Sequence, residues 1–138
     1  MKLVLDTNIF ISAFYWGGNS QKIIDRVIEG IDEMYFSKQI VNEISEVMNR
    51  PKFRTEKAKI NGYIKTIEKS GKKVFVEGKI KGICRDKDDD DKLECAIKCN
   101  ADFLITGDDD LLILRNYGNI NVITPKEYID IVDSATGT

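Results

Sequence analysis

The chain has 138 residues, of which 42% are hydrophobic and 32% charged, and its formal net charge is −2, so we expect one folded domain spanning residues 1–138. Histidine is absent, which excludes Ser-His-Asp and Cys-His catalysis and removes the commonest general base. The sequence has no Walker A or GxGxxG loop, so any catalysis must rely on carboxylates.

Short apolar strands alternate with amphipathic helices along the chain. In chain order we predict strand 2–5, a helix through Trp16, a helix capped by Asn19 or Ser20 and closed by Gly30, strand 34–37, helix 40–48, basic helix 55–70, strand 73–76, a helix opened by the aspartates of 86–91, strand 102–106, short helix 111–114, strand 121–124, and a last helix with Thr124 and Glu127 as its capping box. This alternation predicts an α/β fold with a parallel sheet covered on both faces.

The apolar run near the start is interrupted by Asp6, and no small-residue cleavage site follows cleanly, so we do not expect a signal peptide. No other segment is suited to span a bilayer, and we expect a cytoplasmic protein without a membrane partner.

The three cysteines, Cys84, Cys95 and Cys99, are too few for a disulfide framework. Cys95 and Cys99 have the spacing of a zinc pair on a helix, but further ligands are hard to find without histidine, so we expect reduced thiols near the core.

Acidic residues follow two predicted strands at their carboxyl ends. Asp6 comes directly after strand 2–5, and Asp108 lies two residues past strand 102–106. In an open parallel sheet, ligands bind beyond the carboxyl ends of the strands. Each acid alone would more often be a turn or cap residue, but two acids at the same edge of the sheet predict a site.

Five aspartates occupy residues 86–91. At about 100° per residue, Asp89 and Asp90 face the apolar side of the predicted helix, whereas Asp88 and Asp91 face solvent. The outer aspartates are explained by the helix macrodipole, but an unpaired charge on the inner side is costly. Periodicity does not choose between Asp89 and Asp90.

Glu43 lies at the margin of the apolar stripe of helix 40–48, where it can lean toward the sheet edge, whereas Glu46 lies opposite the stripe. Together with Asp6, Asp108 and an inner aspartate of 86–91, Glu43 would complete an all-oxygen pocket. Hard divalent ions such as Mg²⁺ or Mn²⁺ prefer that ligand set. Two such ions roughly 4 Å apart can promote phosphodiester hydrolysis without histidine.

Charge is distributed unevenly along the chain. Residues 50–85 contain twelve Lys and Arg against three Glu, whereas residues 86–110 contain ten acids against three Lys. A basic segment beside an acidic one suggests that the first holds a polyanion and the second holds metal ions. A solvated helix face is the alternative explanation.

Three segments, MKLVLDTNIFISAF, VNEISEV and DDDDKLECAIKCNADFLITGDDDLL, occur in this order and resemble the PIN domain family, particularly its toxin-like prokaryotic branch. The resemblance covers Met1 to about Thr124. It implies a three-layer PIN-like fold with a parallel sheet of order 3-2-1-4-5 flanked by helices. It also implies a Mg²⁺- or Mn²⁺-dependent endoribonuclease that leaves a 5′-phosphate, with an antitoxin protein as a partner and a homodimer as the assembly.

The resemblance places the family's four catalytic and metal-binding acids on Asp6, Glu43, Asp90 and Asp108. A fifth, often acidic metal position falls on Asp110. Asn8 and Thr106 match polar residues that support the ligands. Asp89 remains the alternative to Asp90, although the spacing to Ala96 favours Asp90.

Two residues depart from the branch's usual pattern. Lys87 stands where a proline is frequent, and Lys92 stands where an apolar residue is common. If RNA is the substrate, the basic residues of 50–85 would hold its backbone. Tyr15, Trp16 or Tyr63 would stack on unpaired bases, although core packing is the commoner explanation for such aromatic residues.

Other classes of protein also cluster aspartates at strand ends. A receiver-like Mg²⁺-binding regulatory domain needs an acid pair near the first strand, where only Asp6 occurs, and Lys126 is better explained as a helix-start residue than as its lysine. A haloacid-dehalogenase-like phosphatase needs D-x-D, and Asn8 replaces the second acid. A PIN module that binds RNA without cutting is the third alternative, and four intact acids argue against it. The nuclease hypothesis requires that these acids converge and that each is not neutralised by its own lysine or arginine.

Overall fold

The computed structural model describes residues 1–135. The strands are β1 (Lys2–Leu5), β2 (Glu33–Ser37), β3 (Lys72–Val74), β4 (Phe103–Ile105), β5 (Asn116–Tyr117) and β6 (Ile120–Ile123). The helices are α1 (Thr7–Trp16), α2 (Gly18–Ile28), α3 (Lys38–Met48), α4 (Lys57–Ser70), α5 (Lys87–Lys98), α6 (Asp109–Leu112) and α7 (Pro125–Ala135), and a 3₁₀ turn spans Pro51–Phe53. None of the described helices is long and apolar enough to cross a membrane.

The strands form one sheet, flanked by helices, in the order β3-β2-β1-β4-β6-β5. The first five of these strands pair in parallel, and β5 pairs antiparallel with β6 at one edge. The predicted order 3-2-1-4-5 is therefore confirmed for the parallel strands. The sixth strand was not predicted because it has only two residues and joins β6 through a turn at Gly118, whose φ is +60°.

The central strands fix the position of the loops that follow them. Every residue of β1 from Leu3 to Leu5 is 0% exposed, and β4 is buried throughout, as expected for parallel strands covered on both faces. The pairing continues one residue past the strands, because the Asp6 N–H donates to the Ile105 carbonyl at 2.9 Å. The Thr106 N–H likewise donates to β6. The first residues beyond β1 and β4 are thus held rigidly at one edge of the sheet.

Most predicted helix ends are observed, with one exception at α2. This helix has Gly17 as its N-cap and no side-chain cap, so the prediction of Asn19 or Ser20 as the cap was wrong. The reason is that Gly17 adopts φ +73°, a conformation that lets glycine turn the chain directly into the helix. At α7 the capping box is confirmed, because Thr124 and Glu127 exchange backbone-to-side-chain hydrogen bonds of 3.0 and 3.1 Å.

Five elements, β2, α3, β3, α6 and β6, begin one or two residues earlier than predicted. β3 occupies residues 72–74 rather than 73–76, and α6 occupies residues 109–112 rather than 111–114. α6 starts early because the Asp108 carboxylate caps it, accepting the Asp110 N–H at 2.9 Å. The acidic residues after β4 therefore form the beginning of a helix whose first residues lie beside the strand ends.

The cysteines are free thiols. Cys95 and Cys99 are buried in the core, as expected, and burial raises the pKa of Cys99 to about 11. A protonated, buried thiol is a packing group rather than a metal ligand.

Candidate active site

Acids from four elements converge on one pocket at the carboxyl edge of the sheet. Asp6 follows β1, Asp108 follows β4, Glu43 comes from α3 and Asp89 comes from α5, and all four line the pocket. Lys92 of α5 lines it as well. The convergence predicted from the strand ends and the helix phases is therefore present, with Asp89 as the contribution of α5.

Asp6 is 3% exposed, and donors surround its carboxylate. Oδ1 accepts the Thr7 N–H at 2.7 Å and faces the Lys92 ammonium at 2.6 Å. Oδ2 accepts the Thr106 hydroxyl at 2.6 Å. Because Asp6 is also the N-cap of α1, the start of that helix holds the carboxylate in place.

Thr106 connects the two strand-end acids. Its hydroxyl donates to Asp6 Oδ2 and accepts the Asp108 N–H at 2.9 Å. Thr106 is 0% exposed, so this small side chain has no freedom to rotate into solvent. Thr106 therefore links the carboxylate of Asp6 to the backbone at Asp108.

Asp89 and Asp90 are both on the buried side of α5, as the helix phase predicted, with exposures of 4% and 3%. Their carboxylates nevertheless point to different places. Asp89 lines the pocket, whereas Asp90 accepts the backbone N–H groups of Gly82 and Cys84 at 3.0 and 2.7 Å. Asp90, which the resemblance favoured as the third acid, is therefore outside the pocket, because the loop before α5 uses its carboxylate.

Glu94 has the same structural role one turn further along α5. It is 2% exposed and accepts the backbone N–H groups of Glu77, Lys79 and Ile80 at 2.6–3.2 Å. The loop from 77 to 84 has little regular structure, so these buried carboxylates replace the hydrogen bonds that a strand would supply. Sequence reasoning missed Glu94, although its position on the apolar face of α5 was visible.

Lys92 lies among the acids and was not predicted as a site residue. Its ammonium is 2.6 Å from Asp6, 3.2 Å from Glu43 and 3.5 Å from Asp89, and its side chain is 6% exposed. Burial alone would lower the pKa of Lys92, but these carboxylates outweigh burial and raise it above the usual value. The signal was present in the sequence, because Lys92 follows Asp89 by three residues on the apolar face of α5.

One lysine does not neutralise the pocket. Six carboxylates line it with one ammonium, and they belong to Asp6, Glu43, Asp86, Asp88, Asp89 and Asp108. Burial raises the pKa of Asp89 to about 6; Lys92 opposes the rise, and the carboxylates of Asp6 and Asp108 add to it. The acids therefore share one lysine instead of each having its own.

The remaining predicted residues have mixed positions. The side chain of Glu43 is 30% exposed, as expected for a residue at the margin of the apolar stripe of α3. The side chain of Glu46, on the opposite side of the helix, is 76% exposed. Asn8 lines the pocket from α1. Asp110 is exposed, and its backbone N–H donates to the Asp108 carboxylate. Asp110 is not among the residues that line the pocket.

The donor set fits a hard divalent ion, although a lysine lies among the donors. Within residues 1–135, no three His, Cys, Asp or Glu side chains are grouped closely enough to hold a metal ion, and the Lys92 ammonium lies among the acids of the pocket. The acids are all oxygen donors, which Mg²⁺ and Mn²⁺ prefer. The Thr7 hydroxyl in the same pocket is buried and has no hydrogen-bond partner within the described part of the chain, so it is a group that a bound ligand or water would satisfy.

An aromatic and basic surface borders the pocket. Trp16 lines the pocket and is 70% exposed. Tyr15 stacks on Phe53 with ring centroids 4.5 Å apart, and the Lys52 ammonium lies 5.1 Å from the Phe53 ring. Tyr63 is instead packed inside and donates to the Phe10 carbonyl at 2.7 Å. Of the three predicted stacking residues, Trp16 offers the most exposed ring beside the acids.

The chain belongs to the PIN domain family, because the family's model matches residues 2–110. Members of this family are generally nucleases. The match confirms the resemblance carried by the three motifs and agrees with the sheet order and with the acids at the carboxyl edge.

Two individual proteins are similar to this chain. An uncharacterized protein of Methanocaldococcus jannaschii is 36% identical over 141 residues, which cover 94% of this chain and 90% of the relative. Among solved structures, VapBC2 from Rickettsia felis, bound to a DNA fragment from its promoter, aligns with a TM-score of 0.65 and 15% identity over 90% of this chain and 98% of the matched chain. At that identity the likeness shows a shared fold.

Proposed function

We propose that the protein is a metal-dependent endoribonuclease that hydrolyses phosphodiester bonds of RNA. The observation that carries the proposal is the pocket at the carboxyl edge of the sheet, where six carboxylates line the cavity with a single lysine that contacts three of them. An excess of buried negative charge is unfavourable unless a cation balances it. Membership of a family of nucleases supports phosphodiester hydrolysis as the chemistry.

Asp6, Asp89, Asp108 and Glu43 would hold Mg²⁺ or Mn²⁺. We propose Asp89 as the acid from α5, because Asp90 is bound to the backbone of Gly82 and Cys84. When bound, such an ion activates water and stabilises the charge that develops on the phosphate.

The supporting residues have separate tasks in this proposal. Thr106 would hold two groups in place through its two hydrogen bonds, the carboxylate of Asp6 and the backbone of Asp108 at the beginning of α6. Asn8 lies at the pocket wall, where its amide can orient substrate or water. Asp110 is exposed and is not among the residues that line the pocket, so we do not include it among the metal ligands.

RNA is proposed as the polymer for two reasons. Residues 50–85 carry twelve Lys and Arg against three Glu, a composition suited to a phosphate backbone. The exposed ring of Trp16 lies at the pocket, where an unpaired base can stack on it. Both features suit a single-stranded segment that enters the pocket with its bases splayed.

Partners follow from the family and the fold. We propose an antitoxin protein that covers the pocket, and a homodimer, as the resemblance to toxin-like PIN domains implies. The fold shared with VapBC2 supports the first of these. The test for an antitoxin is co-purification with the product of an adjacent reading frame and loss of RNA cleavage when that product is added.

Lys92 favours one alternative, a PIN module that binds RNA without cutting it. An ammonium among the acids supplies part of the charge that a metal ion would bring, and such a site could persist without catalysis. The two functions differ in a direct assay, because only the nuclease releases shorter fragments. The receiver-like and phosphatase alternatives are set aside, since the chain belongs to the PIN domain family.

The test uses purified protein and a 5′-labelled single-stranded RNA with Mg²⁺, Mn²⁺ or EDTA. We expect cleavage with either metal ion and none with EDTA, and fragments that carry a 5′-phosphate. The matched control is Asp6→Asn, prepared identically to exclude host nucleases. It should remain folded and lose cleavage by more than about a hundredfold, because losing even a residue that only supports a metal ligand costs 10–100-fold.

Full activity of Asp6→Asn would reject the proposed site. Cleavage that persists in EDTA would reject the metal dependence. Binding of the RNA without fragments under every metal condition would favour the non-cutting module.

A further inference from the structure

Lys92 occupies a position in the pocket where a cation contacts two acids at once. Its ammonium is 2.6 Å from Asp6 Oδ1 and 3.2 Å from Glu43 Oε1. We propose that Lys92 takes the place of a second metal ion, so that the site holds one divalent cation on the side of Asp89 and Asp108. This inference rests on the proposed function, because it concerns the same pocket.

The hydrogen bonds of Asp6 limit how many cations it can bind. Oδ1 already has two partners, the Thr7 N–H at 2.7 Å and the Lys92 ammonium, and a carboxylate oxygen has about two lone-pair directions. Oδ2 accepts the Thr106 hydroxyl and keeps one direction. Asp6 therefore offers one ligand position while Lys92 is in place, whereas an acid that bridges two ions needs a position on each oxygen.

The other acids are neutralised less completely. Lys92 is 3.5 Å from Asp89 Oδ1, which is longer than its contacts to Asp6 and Glu43. Asp108 lines the pocket; its carboxylate accepts the Asp110 N–H, and its own N–H donates to the Thr106 hydroxyl. Asp89 and Asp108, with the remaining direction of Asp6, are therefore the groups that would hold a divalent ion while Lys92 stays in place.

Lys92 is held in the pocket rather than poised to leave it. Its side chain is 6% exposed, and a buried ammonium is tolerated only where carboxylates surround it, since removing the charge from water costs several kcal/mol. Lys92 thus places a fixed positive charge at Asp6 and Glu43, the two acids where a second ion would otherwise balance the negative charge.

The experiment counts bound Mn²⁺ without RNA, by the loss of the free-ion EPR signal and by calorimetry. The wild type is compared with Lys92→Met, which keeps most of the side-chain volume and removes the charge. The matched control is Lys98→Met on the same helix, because Lys98 contacts Phe75, Glu77 and Glu94 outside the pocket. We expect one ion in the wild type and in Lys98→Met, and two ions in Lys92→Met.

Two ions in the wild type, or one ion in Lys92→Met, would overturn the inference. If Lys92→Met does not fold without metal, the wild-type count still decides, together with Lys92→Arg, which keeps the charge and should bind one ion. RNA cleavage in the same samples separates the two ideas. A wild type that binds two ions and cleaves RNA refutes the role of Lys92 and leaves the nuclease intact, whereas a wild type that binds no ion and cleaves nothing refutes both.

Discussion

The fold buries acids at both edges of its sheet, and it neutralises them in opposite ways. At the carboxyl edge, Lys92 contacts three of the six carboxylates that line the pocket. At the amino edge, the single carboxylate of Asp32 has two cations, Arg26 at 2.9 Å and the Met1 ammonium at 3.4 Å. The Tyr128 hydroxyl also donates to it at 2.6 Å. The carboxyl edge has more carboxylates than cations, whereas at the amino edge two cations and a hydroxyl contact one carboxylate.

This difference distinguishes the proposed site from the cluster around Asp32. Burial alone would raise the pKa of Asp32, but hydrogen bonds from Arg26 and Tyr128 and the charge of Arg26 outweigh burial and hold the pKa below its usual value. The pKa of Asp89 is raised to about 6, mainly by burial. Asp32 therefore stabilises the fold as a charged group, whereas the carboxyl edge keeps acids that the metal-free protein disfavours, as expected where a ligand is to bind.

The most direct test of this difference removes two adjacent acids of α5, Asp89 and Asp90, one at a time. We expect Asp89→Asn to lose RNA cleavage by more than about a hundredfold, with thermal stability in EDTA unchanged or higher, because one of several like charges is gone. We expect Asp90→Asn to remain active and to lose about 1–3 kcal/mol of unfolding free energy, since a loop N–H loses its carboxylate acceptor. Cleavage rates and urea unfolding of both variants provide the measurements.

The opposite result is equally clear. Loss of cleavage in Asp90→Asn at unchanged stability, with an active Asp89→Asn, would make Asp90 the metal-binding acid. The loop hydrogen bonds to Gly82 and Cys84 would then have to be absent from the active state.

The second prediction concerns the amino edge. Asp32→Asn should lose about 3 kcal/mol of unfolding free energy at pH 7, because it leaves Arg26 without its buried partner. The folded pKa of Asp32 is lowered, so its contribution is complete above the unfolded value of about 3.9 and is lost as pH falls through the folded pKa. The difference between wild type and variant should therefore shrink as pH is lowered from 5 toward 2.

The control for this prediction is Asp130→Asn. Asp130 pairs with Lys126 on the surface of α7, with side chains that are 63% and 77% exposed, and such pairs contribute about 0–1 kcal/mol. Urea unfolding at several pH values measures both variants. A pH-independent loss in Asp32→Asn would mean that its partners matter through packing rather than charge.

The comparison also explains what the sequence could and could not predict. Strand ends and helix phases located Asp6, Asp108, Glu43 and the inner aspartates of α5, because the edge of a parallel sheet and the 100° turn of a helix follow from local periodicity. Strand ends and helix phase do not separate Asp89 from Asp90, since both residues are on the buried side of one helix. That choice depends on the loop from 77 to 84, which has no periodicity to predict.

Lys92 and the cluster around Asp32 were missed for a related reason. The sequence places Lys92 beside Asp89 on the apolar face of α5, but the contact of its ammonium with Asp6, 86 positions earlier in the chain, depends on tertiary packing. Asp32, Arg26 and Tyr128 come from separate elements, and their contact spans 96 positions. Such pairings depend on tertiary packing that a single sequence does not contain.

The smallest expected effect concerns the aromatic residues at the two edges. Tyr128 is 0% exposed and packs edge-on against Phe103 at 5.4 Å, whereas Trp16 is 70% exposed at the pocket. Trp16→Ala should raise KM for single-stranded RNA about tenfold, because base stacking contributes about 1–3 kcal/mol, and should leave kcat unchanged. Phe75→Ala is the control, since Phe75 is 75% exposed and does not line the pocket. Equal KM values for the two variants would place the bases elsewhere and reduce Trp16 to a surface residue.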